Sequence, residues 1–351
     1  MNAEVMTAIV QVAFGGPEVL SMTERPVPTP TARQVVIGVR AFGVCRRDAI
    51  VRAGILHRGV NLPLIPGHEF AGTVVSVGAD VSDWAVGDRV TASQTIPCGL
   101  CARCREGAPQ LCERMSTYGH DRDGGYATHV VVEERTLVRV PDSVPFTWAA
   151  TAGCSMGTAY AGLRTVAGIE PGDVVVITGA TGGTGIHAVG VARMLHAEVV
   201  AVTRQADAID LLRAAGADHV VVGDTERLRD SLDDQVGRRA DVIFDTVGSA
   251  VFPGAFRALR TGGTYVLFGQ TSRGEVHFSP AVAFLRGINF LSVTGTPIAA
   301  LERVMYGLAR GLITPHVDVV HGWGEALAAH DRLETGKTVG RLVVSLDDDS
   351  G

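Results

Sequence analysis

Hydrophobic residues fall in two different patterns along this chain, and the change comes near residue 155. Before it, short apolar and β-branched runs at 34–39, 71–77, 88–91, 128–132 and 136–140 alternate with Gly and Pro turns. Runs of that length and punctuation predict strands of an irregular β domain with loop excursions. Pro26-Val-Pro-Thr-Pro30 reads as an extended connector, because each proline pushes its predecessor out of the helical region. From about 156 the pattern becomes strand, glycine turn, helix, repeated. A continuous apolar run at 173–178 is followed by a glycine turn, a helical run at 186–195 and a second strand at 198–203. A helix at 208–215 and extended segments at 219–222, 241–245 and 263–268 continue the series. Continuous apolar strands alternating with helices predict a parallel, doubly wound sheet, so the fold class is α/β. Helical runs at 298–311 and 324–335, a closing strand at 340–346 and a short acidic tail at 347–349 end the chain.

A length of 351 residues is about two domains' worth. With 46% hydrophobic and 19% charged residues the chain can bury substantial cores, which excludes a disordered protein. The 43 glycines point to many tight turns. A net charge of −6 with scattered charges leaves no basic stripe, so neither nucleic acid nor a membrane surface is an expected partner. Among the 31 basic residues Lys337 is the single lysine. The six cysteines sit at 45, 98, 101, 104, 112 and 154. An even count raises a disulfide framework, yet a chain with a large core needs no staples. The first ten residues lack a secretory pattern, and no apolar run reaches the roughly 18 residues of a membrane span. The expectation is a reducing, cytoplasmic compartment, where clustered cysteines more often mean metal.

Gly179-Ala180-Thr181-Gly182-Gly183-Thr184-Gly185 stands between the buried strand and its helix. Small residues there let the backbone approach a pyrophosphate at a helix N-terminus. In strict G-x-G-x-x-G spacing the first position is Ala180, completed by Gly182 and Gly185; an ordinary tight turn is the plainer alternative. The second strand ends Ala201-Val202-Thr203-Arg204-Gln205, without the carboxylate that suits NAD. Arg204 can pair with a 2′-phosphate, so NADP(H) is the expected cofactor; otherwise Arg204 is a solvated surface residue. Cys98-x-x-Cys101-x-x-Cys104-x7-Cys112 offers four thiolates in a Gly/Pro-punctuated loop, which fits a closed structural zinc site. Two local disulfides are disfavoured by the compartment and the cramped spacing. Cys45, Cys154 and His68 of Gly67-His68-Glu69 match the three-ligand type of catalytic zinc, though each alone is unremarkable.

In chain order, Gly43-Val44-Cys45-x-x-Asp48, Gly67-His68-Glu69, Val86-Gly87-Asp88-Arg89-Val90, the four-cysteine segment, Gly124-Gly125-Tyr126-Ala127, Gly153-Cys154-x-x-Gly157-Thr158 and the glycine turn carry a specific likeness. From about residue 8 to 346 the chain resembles the zinc-containing medium-chain dehydrogenase/reductase superfamily, the alcohol dehydrogenase-like enzymes. The resemblance implies a GroES-like catalytic domain over 1–155, rejoined by 291–351, and a Rossmann nucleotide-binding domain over 156–290. It places the active site in the cleft between them. It implies two zinc ions per chain, one on Cys45, His68 and Cys154 and one on Cys98, Cys101, Cys104 and Cys112. Glu69 becomes the carboxylate that can exchange with water on the metal, and Asp48 the acceptor orienting His68. Thr158 faces the nicotinamide. The glycine turn 179–185, Thr203, Arg204, Val247, Gly248, Phe268 and Gly269 are the expected cofactor contacts. Relatives are dimers or tetramers, often pairing edge strands of the Rossmann sheets, for which the apolar stretch 288–293 is suited.

Two departures bear on mechanism. Where many members carry a Ser or Thr hydroxyl that passes the alcohol proton, this chain has Arg47; where some place a relay histidine it has Ile50. Water or another side chain, with His57 nearby, can substitute; alternatively a cation there binds an anionic or strongly polarised substrate. Cys-x-Arg-Asp, the glycine turn and Phe244-Asp245-Thr246-Val247-Gly248 also resemble the acrylyl-CoA reductase and quinone oxidoreductase branches, which reduce a conjugated C=C bond. The expected function is zinc-dependent hydride transfer between NADP(H) and a small carbonyl or alcohol, favoured by the complete ligand set. The alternative is NADPH-dependent reduction of an enone or enoyl thioester, and a remote one is a non-catalytic nucleotide-binding protein. The segments 51–63 and 286–297 are expected to shape the substrate pocket.

Overall fold

The strand Gln34–Val44 has neighbours along both edges and a face of Val35, Ile37, Val39, Phe42 and Val44 turned into the core. In the computed structural model, which describes residues 4–223, 225–271, 274–335 and 338–346, it organises a seven-stranded sheet. Phe70–Val77, His129–Glu133 and Arg341–Ser345 all pair with it antiparallel. Register shifts at Val36/Ile37 and Val39/Ala41 bend it and let it serve several partners. That is why it runs on to Val44, past Arg40 and Gly43, where composition alone suggests a break at 39. The remaining strands, Arg89–Ala92, Leu137–Arg139 and Val317–His321, extend the sheet outward. A separate hairpin pairs Val5–Gln11 with Leu20–Pro26, so Pro26 ends a strand and does not begin the connector. Only Leu20 of the second strand is buried, which hides the strand's alternation from the sequence.

These elements belong to a first unit of residues 1–157, 295–309 and 317–351. The second unit comprises 158–294 and 310–316. Its six strands are all parallel, in the order His219–Val222, Glu198–Thr203, Val174–Thr178, Ala240–Asp245, Leu259–Leu267, Asn289–Ser292. This is the strand order of a doubly wound nucleotide-binding sheet, reversing direction between Val174–Thr178 and Ala240–Asp245. Every residue of both central strands is buried, which accounts for their unbroken apolar runs. Asn289–Ser292 adds an edge strand, so the chain stays in this unit through Thr294. The helix after the glycine turn is Gly183–Met194, which makes Gly183, Thr184 and Gly185 its first turn. Among the described residues no helix is long and apolar enough to cross a membrane. Lys337 and the acidic tail at 347–349 lie outside the described residues.

One buried cation ties distant parts of the first unit together. Arg52, 1% exposed at the end of the helix Arg46–Arg52, donates to Gly15 O at 3.3 Å and His330 Nδ1 at 2.9 Å, and pairs with Glu334. Both partners at the far end lie on the helix Gly322–Glu334. Because guanidinium only donates, Nδ1 of His330 accepts and the ring is neutral. Burial, helped by Arg52 and opposed by Asp48, depresses His330 to about 4. The unfolded chain therefore binds a proton between pH 6.5 and 4 that the folded chain refuses, and stability falls as pH falls through that window. The loss from this group is about 3 kcal/mol at roughly 1.4 kcal/mol per unit. His330→Gln is expected to flatten the pH dependence of the denaturation midpoint across that window relative to the parent protein. Parallel slopes in the two proteins would remove His330 from the acid sensitivity.

Candidate functional site

Cys45 follows Val44, the last residue of the central strand, and caps the helix Arg46–Arg52. Asp48, at the third helical position, reaches back to accept from Cys45 N–H at 3.0 Å, the carboxylate half of a capping box. Its other oxygen accepts from His68 Nδ1 at 2.7 Å. The spacing Cys-x-x-Asp thus serves a helix start and the imidazole at once. His68 and Glu69 stand just before the strand Phe70–Val77, and Gly43 N–H donates to Glu69 O at 2.9 Å. A Cβ on Gly43 would lie 2.2 Å from Glu69 Oε2, so only glycine leaves room for this carboxylate.

Cys154 arrives from a different part of the chain. The helical run Phe146–Thr151 passes into a π-helical turn, Ala152–Met156, before resuming as Gly157–Tyr160. Such turns bulge a helix by one residue and recur at functional sites. Gly153 lets the turn press on the sheet: a Cβ there would meet Ala92 O at 2.3 Å. The ligand atoms of Cys45, His68, Glu69 and Cys154 all lie within 4.8 Å of one another, and all four residues are buried.

The electrostatics of this cluster are those of a cation site. His68 Nε2 and both Glu69 oxygens lack a hydrogen bond despite burial, and of these three atoms Glu69 Oε1 alone has an ion-pair partner, Arg341. A buried polar atom without a partner is costly and rare unless something else takes it. The hydrogen bond from the Cys154 thiol, against burial, holds Cys45 well below the usual thiol range. Burial pulls His68 down, but the charges of Asp48 and Cys45 outweigh it and lift the ring to about 10. Burial also pushes Glu69 up to about 7, against the pull of Arg341. Two sulfurs, an imidazole nitrogen and an adjacent carboxylate are a donor set that fits zinc and could hold it.

Arg341 is a site residue that sequence reasoning missed. It sits in the buried strand Arg341–Ser345, 5% exposed, with Nη2 3.2 Å from Glu69 Oε1. The signal was present: a lone arginine opening an apolar strand is seldom buried without a carboxylate. Arg47, by contrast, is half-buried and has no hydrogen bond or ion pair among the described residues. His57 turns Nδ1 to Gly54 O at 2.8 Å and packs edge-on against Phe14.

The four remaining cysteines, Cys98, Cys101, Cys104 and Cys112, converge in a loop with little core of its own. Sulfur separations of 3.5 Å for Cys101–Cys104 and 3.8 Å for Cys101–Cys112 are far beyond a disulfide bond, and all six cysteines are free thiols. Backbone N–H groups point at the sulfurs: Leu100 and Cys101 at Cys98, and Cys98 and Arg114 at Cys112. The Leu100 N–H is the main cause of the Cys98 thiol's descent to about 6. Amides aimed at clustered sulfurs stabilise thiolates, the form a metal binds.

In the second unit, the glycine turn closes tightly. Gly179 takes φ +59°, and a Cβ on Gly185 would lie 2.1 Å from Gly179 O. Ala180 N–H donates to Val202 O at 3.0 Å, and Thr181 Oγ1 lies 3.4 Å from Thr203 Oγ1. Arg204 is exposed just beyond Glu198–Thr203, with no partner among the described residues. The turns after the next two strands hang on Asp245, which is fully buried. It accepts from Thr178 Oγ1 at 2.6 Å, Val247 N at 2.9 Å, Gly248 N at 3.1 Å and Tyr265 OH at 2.8 Å. Phe268 and Gly269 donate to its carbonyl at 3.1 Å, and Phe268 stacks on Phe244. Val247 and Gly248 are thus grouped by the Asp245 carboxylate, and Phe268 and Gly269 by its backbone carbonyl. Thr158, 1% exposed, begins this unit.

The first unit thus holds a buried thiol–imidazole cluster, and the second a glycine turn between a parallel strand and a helix. The pattern of the alcohol dehydrogenase GroES-like domain matches residues 31–142, and that of the zinc-binding dehydrogenase matches 183–309. The NAD-dependent alcohol dehydrogenase of Sulfolobus acidocaldarius is 32% identical over 97% of this chain and 100% of its own. An acryloyl-coenzyme A reductase of Metallosphaera sedula is 34% identical over 91% of this chain and 94% of its own. Among solved structures, AibC superposes with a TM-score of 0.93 at 36% identity, covering 99% of this chain and 97% of that one. The chain therefore belongs to the alcohol dehydrogenase-like medium-chain dehydrogenase/reductase family, with a GroES-like domain and a Rossmann-like parallel sheet, and it is an oxidoreductase.

Proposed function

We propose that this chain is a zinc-dependent enzyme transferring hydride between NADP(H) and a carbonyl or alcohol substrate. The observation that carries the reading is the buried set of Cys45, His68 and Cys154, with His68 Nε2 unpartnered and its Nδ1 on Asp48. Zinc held there supplies Lewis-acid polarisation of a substrate oxygen, and the nicotinamide supplies or accepts the hydride. The protein's own contribution begins with Asp48, which keeps the proton on Nδ1, so that the Nε2 proton is the one given up when a metal binds. Glu69 sets a carboxylate beside the ligands, and Arg341 balances its charge. Cys98, Cys101, Cys104 and Cys112 would hold a second zinc, which would staple their loop. Free thiols throughout suit a reducing compartment such as the cytoplasm.

NADP(H) is proposed over NAD because Arg204, exposed and unpaired, stands where an acid would otherwise hold the ribose. The proton route differs from a hydroxyl relay. A guanidinium stays protonated at working pH, so Arg47 cannot pass a proton as Ser or Thr would. Its unpaired charge suits an anionic or strongly polarised small-molecule substrate. The same residue favours the second reading, reduction of a conjugated C=C bond, in keeping with the relative named acryloyl-coenzyme A reductase. There, hydride goes to the β-carbon and a proton to the α-carbon. We further propose a homodimer or homotetramer, supported by the sheet edge at Asn289–Ser292 and by Phe284 and Leu285, 71% and 77% exposed. No nucleic-acid or membrane partner is proposed.

Metal analysis is expected to return two zinc per chain, and one for Cys154→Ser; a parent value of one or none overturns the zinc assignment. Arg204→Glu is expected to raise KM for NADPH at least about tenfold, as for the loss of a charge-assisted hydrogen bond, with KM for NADH little changed. Equal effects on both cofactors would exclude a 2′-phosphate contact. Turnover of an α,β-unsaturated aldehyde with deuterated NADPH is expected to label the carbonyl carbon. Label solely at the β-carbon establishes the conjugated-alkene reading in its place.

A further inference from the structure

The residue just before His68 has no room for a side chain. Gly67 takes φ +93°, and a Cβ there would lie 2.2 Å from Cδ1 of Tyr126. The segment Gly124-Gly125-Tyr126 runs against this stretch and bonds to it three times. Gly124 N–H donates to Ile65 O at 2.7 Å, Gly125 N–H to Gly67 O at 2.8 Å and Tyr126 N–H to Pro66 O at 3.1 Å. The approach is as close as backbones allow: a Cβ on Gly124 would meet Gly67 O at 2.0 Å. Tyr126 itself is fully buried, its ring 4.7 Å from that of Phe42 and 5.7 Å, edge-on, from that of His330. Its hydroxyl donates to Asp48 Oδ2 at 2.8 Å, and Asp48 Oδ1 takes His68 Nδ1.

One side chain therefore touches both things that aim the imidazole: the backbone leading into His68 and the carboxylate behind its ring. We propose that Tyr126 is a positioning residue for the Cys45–His68–Cys154 metal centre, clamping His68 between the Gly67 backbone and Asp48. This rests on reading those three residues as metal ligands. Ring packing limits where the Gly67–His68 peptide can move. The hydroxyl restrains rotation of the Asp48 carboxylate about its own bond, and with it the direction of His68 Nε2. Asp48 keeps two other donors, Cys45 N–H and His68 Nδ1, so removing the hydroxyl loosens the carboxylate without orphaning it. Groups that orient a ligand from behind typically tune metal affinity by 10- to 100-fold.

The test is zinc release from the loaded, full-length protein into a chromogenic chelator, with the phase from this centre identified by its absence in Cys154→Ser. Tyr126→Phe, which keeps the ring and deletes the hydroxyl, is expected to speed that phase about tenfold and leave the four-cysteine phase unchanged. Val132→Ala is the packing control: it loosens the same core away from the Tyr126 ring and the Asp48 bond, and is expected to leave the release rate as in the parent. Asp48→Asn is expected to accelerate release at least as much as Tyr126→Phe. Release from Tyr126→Phe at the parent rate, with Asp48→Asn fast, overturns the role of Tyr126 and spares the ligand assignment. If Val132→Ala, with a similar drop in melting temperature, releases zinc as fast, the effect is general loosening and the proposal fails. If neither Asp48→Asn nor Tyr126→Phe alters any phase, the ligand assignment fails with it.

Discussion

The first unit depends on burying one carboxylate. Asp48 is 2% exposed, in surroundings where an unpaired charge is untenable. Three donors answer for it: a backbone amide that starts a helix, a ring nitrogen that must be held still, and the phenol of Tyr126. The last two lie far along the chain, since Asp48 to His68 spans 20 positions and Asp48 to Tyr126 spans 78. Burying Asp48 therefore brings all three segments together. The centre is thus assembled as part of making the core, and the hydrophobic cluster that contains Tyr126, Phe42 and Phe70 is also its mounting.

The second unit solves a different problem with a similar device. Turns at the carboxyl ends of neighbouring parallel strands need a rigid frame if they are to meet a ligand. Asp245 supplies that frame from within the sheet, taking bonds from the strand beside it, from the turn after it and from Tyr265. In each unit a single buried acid converts several loops of separate origin into one fixed surface. Such networks are stable when each carboxylate oxygen has a donor, and here every oxygen of both acids has at least one.

Much of this arrangement is legible from residue order because each signal is local. The glycine turn lies between an apolar strand and a helix within a dozen residues, and four cysteines crowd into one short loop. Cys-x-x-Asp is a helix start that can be read from its spacing. What stays hidden is whatever depends on pairing across the chain. Arg341 meets Glu69 only because Arg341–Ser345 lies beside Gln34–Val44, whose own end abuts Glu69. The phenol of Tyr126 and the carboxylate of Asp245 look like ordinary core and strand residues until register is known. Element ends shift for a related reason: Leu20–Pro26 is held by its hairpin partner and not by a buried face of its own.

The π-helical turn at Ala152–Met156 carries a consequence for how this centre can be lost. A helix that contains one surplus residue can shed it and settle into ordinary 3.6-residue winding, gaining regular hydrogen bonds as it does so. A one-residue deletion there would be tolerated, even welcomed, by the helix, while turning Cys154 about 100° away from Cys45 and His68. The third sulfur-or-nitrogen donor is held at its post by an irregularity that local energetics would rather erase. In such a lineage the fold persists and the chemistry goes, and the trace left behind is a smoother helix.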